Sequence, residues 1–516
     1  MVVKPYIFPI LHHLLLQGIY LNMNKENRFS RRSFIGTTAA SALGITILPS
    51  HVIAGLGHKA PSDKLNIAGI GVGGKGYTNL RNMETENIVA LCDVDWGYAG
   101  KNSFARWTRA KKYMDYRDMF EQQKDIDAVM IATPDHSHAL PALIAMRQGM
   151  HIYLQKPLTH SVYESRILQE TANRYGVATQ MGNQGNSDEG IRLICEWIWA
   201  GAIGEVTHVD TWTNRPIWPQ GLTAPEKGKR VPKDLNWDLF IGPAKWREYN
   251  PVYHPWNWRG WWDFGTGALG DMGCHILDPV FKALMLDYPT SVEASSTSFN
   301  NDSPPNAEMV MYQFPRRDNL PKVGMPEVTI NWYDGGLMPP RPDELQNDEQ
   351  MGDDGGGCIF YGNRGKIMCS TYGQNPTLLP TSKMSSFVPP EKSIRRISNA
   401  LDGGHEQDWI RACKENKNAR LEASSNFNYA GPLNEMVLLG VLAVRMQSLH
   451  RKLIWDGPNM RITNISPSDK LRILSKDEFE VLDGDPRFNK EYATMPAFEM
   501  AEEWIRHTYR NGWEQV

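Results

Sequence analysis

Oxidising an alcohol requires a group that takes the hydroxyl proton as a hydride leaves the adjacent carbon. A histidine suits this task because its pKa lies near working pH. His275 follows Asp271 by four residues, a spacing that sets both side chains on one face of a helix. Gly265, Gly267, Gly270 and Gly273 surround the pair, and residues without a Cβ let a ligand approach the backbone closely. The two residues also fit a helix-end cap, a surface ion pair or half of a metal site. No convincing third ligand accompanies them, so no metal is expected. A second constellation is Gly71-Val72-Gly73-Gly74-Lys75-Gly76. Glycines at this spacing cradle the phosphates of a dinucleotide when a strand enters the turn and a helix leaves it.

The flanking sequence predicts those elements. Lys64–Ile70 is a short apolar strand, Tyr77–Met83 begins a helix, and Asn87–Asp93 is a second strand whose terminal carboxylate stands 20 residues after Gly73. Gly71 allows the tight turn, Gly73 lets a pyrophosphate reach the backbone, and Gly76 lets helix and strand pack closely, with Gly74 between them. A register of Gly69, Gly71 and Gly74 also matches; the later one is preferred because Gly69 then completes the strand. Asp93 would accept hydrogen bonds from the adenosine ribose and repel a 2′-phosphate, which favours NAD over NADP.

The alternation continues through strands at 127–133, 151–154 and 177–181 and helices at about 138–148 and 161–175, the pattern of a doubly wound parallel sheet. Ligands of such sheets sit at the carboxyl ends of the strands. Thr133-Pro134, Gln155-Lys156-Pro157 and Asn183-Gln184 all fall there, which puts Lys156 on the cofactor side. Asp135, His136 and His138 suit loop hydrogen bonding and stacking beside a nicotinamide. Gln184 and Asn183 could meet a sugar hydroxyl or a carboxamide, or cap the last strand. Beyond about residue 186, strands at 206–213, 291–299 and 327–332 lie among helices and Pro/Gly-rich loops, predicting an α+β domain with a large, open, mostly antiparallel sheet. The expected organisation is therefore α/β, with residues 1–60 as export signal and linker, 61–185 as an NAD-binding Rossmann domain, and 186–516 for substrate binding and oligomerisation.

At 516 residues the chain is too long for one core. A net charge of -3 gives no footprint for nucleic acid or an anionic membrane. Six scattered cysteines without a CxxC pair point to buried free thiols rather than zinc or redox chemistry. Ser30-Arg31-Arg32-Ser33-Phe34-Ile35 precedes a modestly apolar run through Leu48, which resembles a twin-arginine signal. The implied location is periplasmic or otherwise exported. The run is short for a full membrane span, leaving a signal anchor as the one membrane contact in view. Export of a folded chain would carry its cofactor with it, so the nucleotide is expected to be held tightly.

The glycine turn, Ala90-Leu91-Cys92-Asp93, Thr133-Pro134-Asp135-His136-Ser137-His138, Gln155-Lys156-Pro157, Ala202-Ile203-Gly204-Glu205-Val206, Trp258-Arg259-Gly260, Asp271-Met272-Gly273-Cys274-His275 and the stretch from His405 to Ala412 together resemble the glucose–fructose oxidoreductase, inositol dehydrogenase and MocA family. The resemblance implies a Rossmann domain followed by an open-sheet domain, a sugar-like substrate between them, and homodimers or homotetramers. It also implies that Lys156, Asp271 and His275 form the catalytic group, with His275 as acid/base and the other two orienting the substrate hydroxyl. The chain departs from the usual Glu-Lys-Pro at Gln155, which alters the lysine's charge environment. Eight of the 17 tryptophans lie between Trp212 and Trp262. They fit equally a carbohydrate wall, with Trp258 and Arg259 nearest the ligand, and a core or subunit interface. Tyr333, His254 and His405 are further candidates for that wall. The function expected is oxidation or reduction of a sugar hydroxyl or keto group with NAD. The alternatives are a redox-neutral glycosidase of the family 109 kind, which oxidises, eliminates, hydrates and reduces in one cycle, and a non-catalytic sugar-binding protein.

Overall fold

The computed structural model describes residues 63–318 and 324–513; the expected export segment lies outside them. Six short strands pair in parallel: β1 (Asn66–Ile70), β2 (Asn87–Cys92), β3 (Lys111–Tyr113), β4 (Ala128–Ile131), β5 (His151–Leu154) and β6 (Thr179–Met181). Their spatial order, β3-β2-β1-β4-β5-β6, reverses at β1, the switch point at which a doubly wound sheet opens its ligand crevice. All four residues of β4 are buried, as a strand covered on both faces requires. β3 escapes sequence pattern because it is an edge strand of three residues, two of them exposed lysines, which discourage pairing with another chain. Local signals fix the helices. Val162–Tyr175 opens with a reciprocal Ser161–Glu164 capping box and ends at Gly176 with φ 64°.

The second sheet holds β7 (Val206–Thr213), β8 (Ser291–Ser296), β9 (Glu308–Phe314), β10 (Val328–Tyr333), β11 (Gly356–Gly362), β12 (Gly365–Ser370), β13 (Thr377–Leu379), β14 (Leu453–Asp456) and β15 (Arg461–Ile462). Its order is β13-β12-β11-β7-β10-β9-β8-β14-β15. Every pairing is antiparallel except that of β7 with β10. Burial alternates along β9 and β10, so one face packs on the helices Gly267–Ile276 and Phe427–Met446. The other face carries Trp212, Ile359 and Met368, covered by Leu345 and Met351. A long hairpin, β16 (Lys470–Leu482) and β17 (Asp485–Pro496), and the helix Ala497–Arg506 follow.

The two sheets change character near residue 185. The described residues from Lys64 onward form one compact unit. Trp409, Ile410, Ala412 and Cys413 of the helix His405–Lys414 share a core with Ile67, Val72 and Leu80. The late helix therefore completes one face of the parallel sheet. All six cysteines are free and buried.

Candidate functional site

The glycine turn leaves β1, and Gly69 lies inside that strand. Gly71 has φ +71°, and a Cβ there would stand 2.6 Å from the Ala132 carbonyl oxygen. A Cβ on Gly76 would stand 2.0 Å from the Gly71 oxygen, so the helix Gly74–Asn82 can rest on the turn only without one. The division of labour between the middle glycines differs from expectation. The space beside Gly73 is filled by Ala99, 2.4 Å from a hypothetical Cβ, whereas Gly74, at φ +48°, faces open space. Gly73 caps the helix without any side-chain bond, which leaves first-turn amides for an anion. Asp93 follows β2 directly. Its Oδ2 accepts from Val72 N and its Oδ1 from Asp95 N, both at 2.9 Å. Burial pushes its carboxyl up to about 6 against those two amides. Asp93 thus braces the glycine turn and still lines the cleft with its remaining lone pairs.

That cleft, about 840 Å³, runs from the glycine turn between the two sheets. Thr133, Pro134, Gln155, Lys156 and Gln184 line it, as expected for the ends of β4, β5 and β6. Thr133 Oγ1 is buried without a partner among the described residues. Gln184 reaches Lys75, a lining residue on the glycine turn itself, when its amide oxygen faces that ammonium. Gln155 donates to Asn79 Oδ1 at 2.9 Å, and Asn79 donates to Glu406 Oε1 at 2.7 Å. A glutamate at 155 would have no proton for Asn79 at neutral pH, so this departure from the family pattern follows from Glu406 standing beyond Asn79. His138 is a correction. Its ring does not face the cleft; Nδ1 and Nε2 lie 2.8 Å from the Pro157 and Thr133 carbonyl oxygens, tying the two strand ends together.

Lys156 and Asp271 meet although 115 residues separate them. Lys156 Nζ donates to Asp271 Oδ1 and to the Asp271 carbonyl, each at 2.9 Å. Arg259 Nε donates to the same Oδ1 at 3.1 Å. Burial opposes ionisation of Asp271, but Lys156 and Arg259 overcome it and hold the carboxyl well below the usual range. One turn on, His275 lines the cleft with its ring edge-on to Tyr372, centroids 4.7 Å apart. Its Nδ1 is buried without a partner among the described residues. Burial, then the charge of Lys156, drive its pKa well below 6.5 and keep the imidazole neutral. Tyr372 itself, at φ 63° in the connection from β12 to β13, gave no sequence signal.

The tryptophans fall in different places, with Trp246 exposed and outside the cleft. Trp212, Trp237, Trp261 and Trp262 are buried in cores. Trp218, Trp256 and Trp258 surround Arg259, whose guanidinium lies 5.9, 4.5 and 4.2 Å from their ring centroids, and all four residues line the cleft. Tyr333 does not. It sits on the far face of the second sheet against the Trp212 cluster, because its neighbour Trp332 takes the inward position and successive strand residues point opposite ways. His405 is also displaced, buried between Ser187 Oγ at 2.6 Å and the Met181 carbonyl at 2.7 Å. His254 does line the cleft, with Nε2 2.7 Å from Asp95 Oδ2. Among the described residues, no three His, Cys, Asp or Glu side chains gather for a metal ion.

Behind the site, Asp135 Oδ2 accepts from Thr266 Oγ1 at 2.7 Å, joining the β4 loop to the start of the Asp271–His275 helix. Burial raises its carboxyl to about 7, against Thr266 and Arg259. A carboxyl raised in the folded state costs stability as pH climbs from its unfolded value to its folded one. Asp135→Asn is therefore expected to gain stability relative to the parent between about pH 4 and 7, on the order of a few kcal/mol, and to gain nothing further above that window. Urea unfolding at pH 5 and pH 8 checks this; an equal difference at both pH values would contradict it.

A doubly wound sheet with a glycine turn, joined to an open sheet, with Lys156 at the end of β5 meeting the helix of Asp271 and His275, defines a two-domain nucleotide-dependent oxidoreductase fold. Residues 64–183 match the model of the oxidoreductase family's NAD-binding Rossmann fold, and residues 197–316 that of its C-terminal alpha/beta domain. Residues 64–183 and 197–316 thus carry the two domains of the Gfo/Idh/MocA oxidoreductase family. Levoglucosan dehydrogenase of Pseudarthrobacter phenanthrenivorans is 25% identical over 169 residues, 32% of this chain and 34% of that protein. A glycosyl hydrolase family 109 protein of Shewanella woodyi is 29% identical over 155 residues, 27% of this chain and 32% of that protein. The chain thus spans about a third of the length of these curated relatives. The crystal structure of the WlbA dehydrogenase from Bordetella pertussis in complex with NADH and UDP-GlcNAcA matches with a TM-score of 0.52 at 15% identity, covering 76% of this chain and 99% of that one, a likeness of fold.

Proposed function

We propose that this chain binds NAD(H) across the glycine turn and uses Lys156, Asp271 and His275 to oxidise or reduce a hydroxyl or keto group of a carbohydrate. The observation that carries this reading is the convergence of those three residues, from the end of β5 and from the helix Gly267–Ile276, on the cleft that begins at Gly71. The residues fit a dinucleotide: uncapped helix amides, open space at Gly74, and the unpartnered Thr133 Oγ1. When bound, the nicotinamide supplies the hydride acceptor or donor. Lys156, anchored on Asp271, donates a hydrogen bond that positions the substrate oxygen. Asp271, fixed by Lys156 and Arg259, orients Lys156 and stays ionised. His275 takes the hydroxyl proton in oxidation and returns it in reduction; with Nδ1 sealed, Nε2 is the nitrogen left for that proton. Trp218, Trp256 and Trp258 give the sugar's C–H faces a wall.

NAD in preference to NADP, tight retention, export by a twin-arginine route and a homodimeric or homotetrameric assembly belong to the same reading. Asp93 supports the first, because a carboxylate beside the adenosine ribose repels a 2′-phosphate. The likeness to a family 109 glycosyl hydrolase supports a second reading, a redox-neutral glycosidase. Mass spectrometry of ligands released from purified protein is expected to find NAD or NADH. A panel of free sugars and aryl glycosides then separates the two reactions. Stoichiometric NADH without bond cleavage marks a dehydrogenase, and aglycone release without net NADH marks the glycosidase. Protein that carries no nicotinamide dinucleotide and binds none by calorimetry would overturn both.

A further inference from the structure

The cleft has one wall that neither sheet supplies. After the helix Ala497–Arg506 the chain turns at His507, with φ 60°, and runs back towards the parallel sheet. Three side chains of this run hold it in place. His507 Nδ1 lies 3.2 Å from His160 Nδ1, and the Tyr509 hydroxyl donates to Glu164. Arg510 donates to Asp238 Oδ1 at 2.7 Å and to the Gly242 carbonyl at 3.1 Å. The run delivers Trp513 to the cleft, 7% exposed, beside Met114, Asp115 and Tyr116. Its ring lies 6.3 Å from that of Tyr116, and the Arg117 guanidinium sits 4.3 Å from its centroid.

The position follows from the sheet order. Met114–Tyr116 follow β3 and Asp93 follows β2, on one side of the glycine turn; Thr133 and Lys156 follow β4 and β5 on the other. A dinucleotide with its phosphates on the turn and its reactive ring near Lys156 and His275 must lay its adenosine half over β2 and β3. We propose that Trp513 is a wall of that adenosine subsite and that residues 507–513 form a strap slowing release of the nucleotide. The strap is tied to the segment 238–242, whose Leu239 and Phe240 line the same end of the cleft. An indole there adds apolar, polarisable contact to a purine, and Arg510 keeps it in place.

This inference rests on the dinucleotide reading of the cleft, and the test separates the two. The full chain is loaded with NADH, and its dissociation is followed by loss of bound-NADH fluorescence on dilution into excess NAD. Trp513→Ala is expected to release NADH about 3- to 10-fold faster, and Trp513→Phe to stay near the parent. Arg510→Ala, which frees the strap but keeps the indole, is expected to move in the same direction as Trp513→Ala. Nucleotide retained after desalting, measured by mass spectrometry, should fall in the same order. Parent-like release from both Trp513→Ala and Arg510→Ala would overturn the strap while leaving the cofactor reading intact. A parent protein that binds no nicotinamide dinucleotide would overturn both.

Discussion

His275→Ala is expected to lower kcat/KM for hydroxyl oxidation by about 100- to 10,000-fold, the range of a positioned acid/base, with dinucleotide affinity unchanged. The pH profile gives a sharper readout. With the neutral imidazole as the proposed base, burial followed by the charge of Lys156 holds the His275 pKa well below 6.5. The parent rate should therefore stay level as pH falls through 6.5 and drop only at lower pH. Lys156→Met removes the largest of the charges that depress this pKa, ahead of Lys75 and His405, and leaves Asp271, which favours the imidazolium. The remaining activity should consequently show its acid limb moved upwards. A His275→Ala enzyme with parent-like turnover, or an acid limb that ignores Lys156, would remove His275 from the proton transfer.

Gly76→Ala should have the largest effect on the cofactor. The added methyl would sit 2.0 Å from the Gly71 carbonyl oxygen, a backbone atom that cannot swing aside. The helix must lift from the turn, at about 1–3 kcal/mol for overpacking, and its first-turn amides move with it. Loss of retained NAD and a lower unfolding temperature are the expected results. Gly74→Ala is the control for stability alone, because no protein atom crowds it and only φ +48° strains the new residue, at about 1–2 kcal/mol. If Gly76→Ala kept full nucleotide and stability while Gly74→Ala lost them, the other glycine register would be the functional one.

Much of the parallel sheet was legible because its signals are local. Apolar runs, turn glycines and strand-end residues identify β1, β2, β4 and β5 within a residue or two, and the switch point then places Lys156. The pairing of Lys156 with Asp271 is not local, and only family likeness suggested it. Tyr333 shows a different limit. Both faces of β10 are covered, so sequence parity could not say which face packs on the helices, and neither lines the cleft. His138 was read as a cofactor ligand because it follows a strand end, yet two backbone carbonyls claim its ring. Lys75, Tyr372 and Trp513 reach the cleft from a turn, a loop and a tail that carry no periodic pattern.

The helix His405–Lys414 has a consequence for synthesis. Asn79, on the helix that leaves the glycine turn, is bonded to Glu406, 327 residues later, and Trp409 fills the same core as Val72. The N-terminal sheet therefore emerges from the ribosome long before the segment that covers it, with an apolar face waiting for its partner. Such non-local closure is slow and exposes the nascent chain to aggregation and to chaperones. A glycine turn braced in this way is complete only after residues 405–414 have been made and docked.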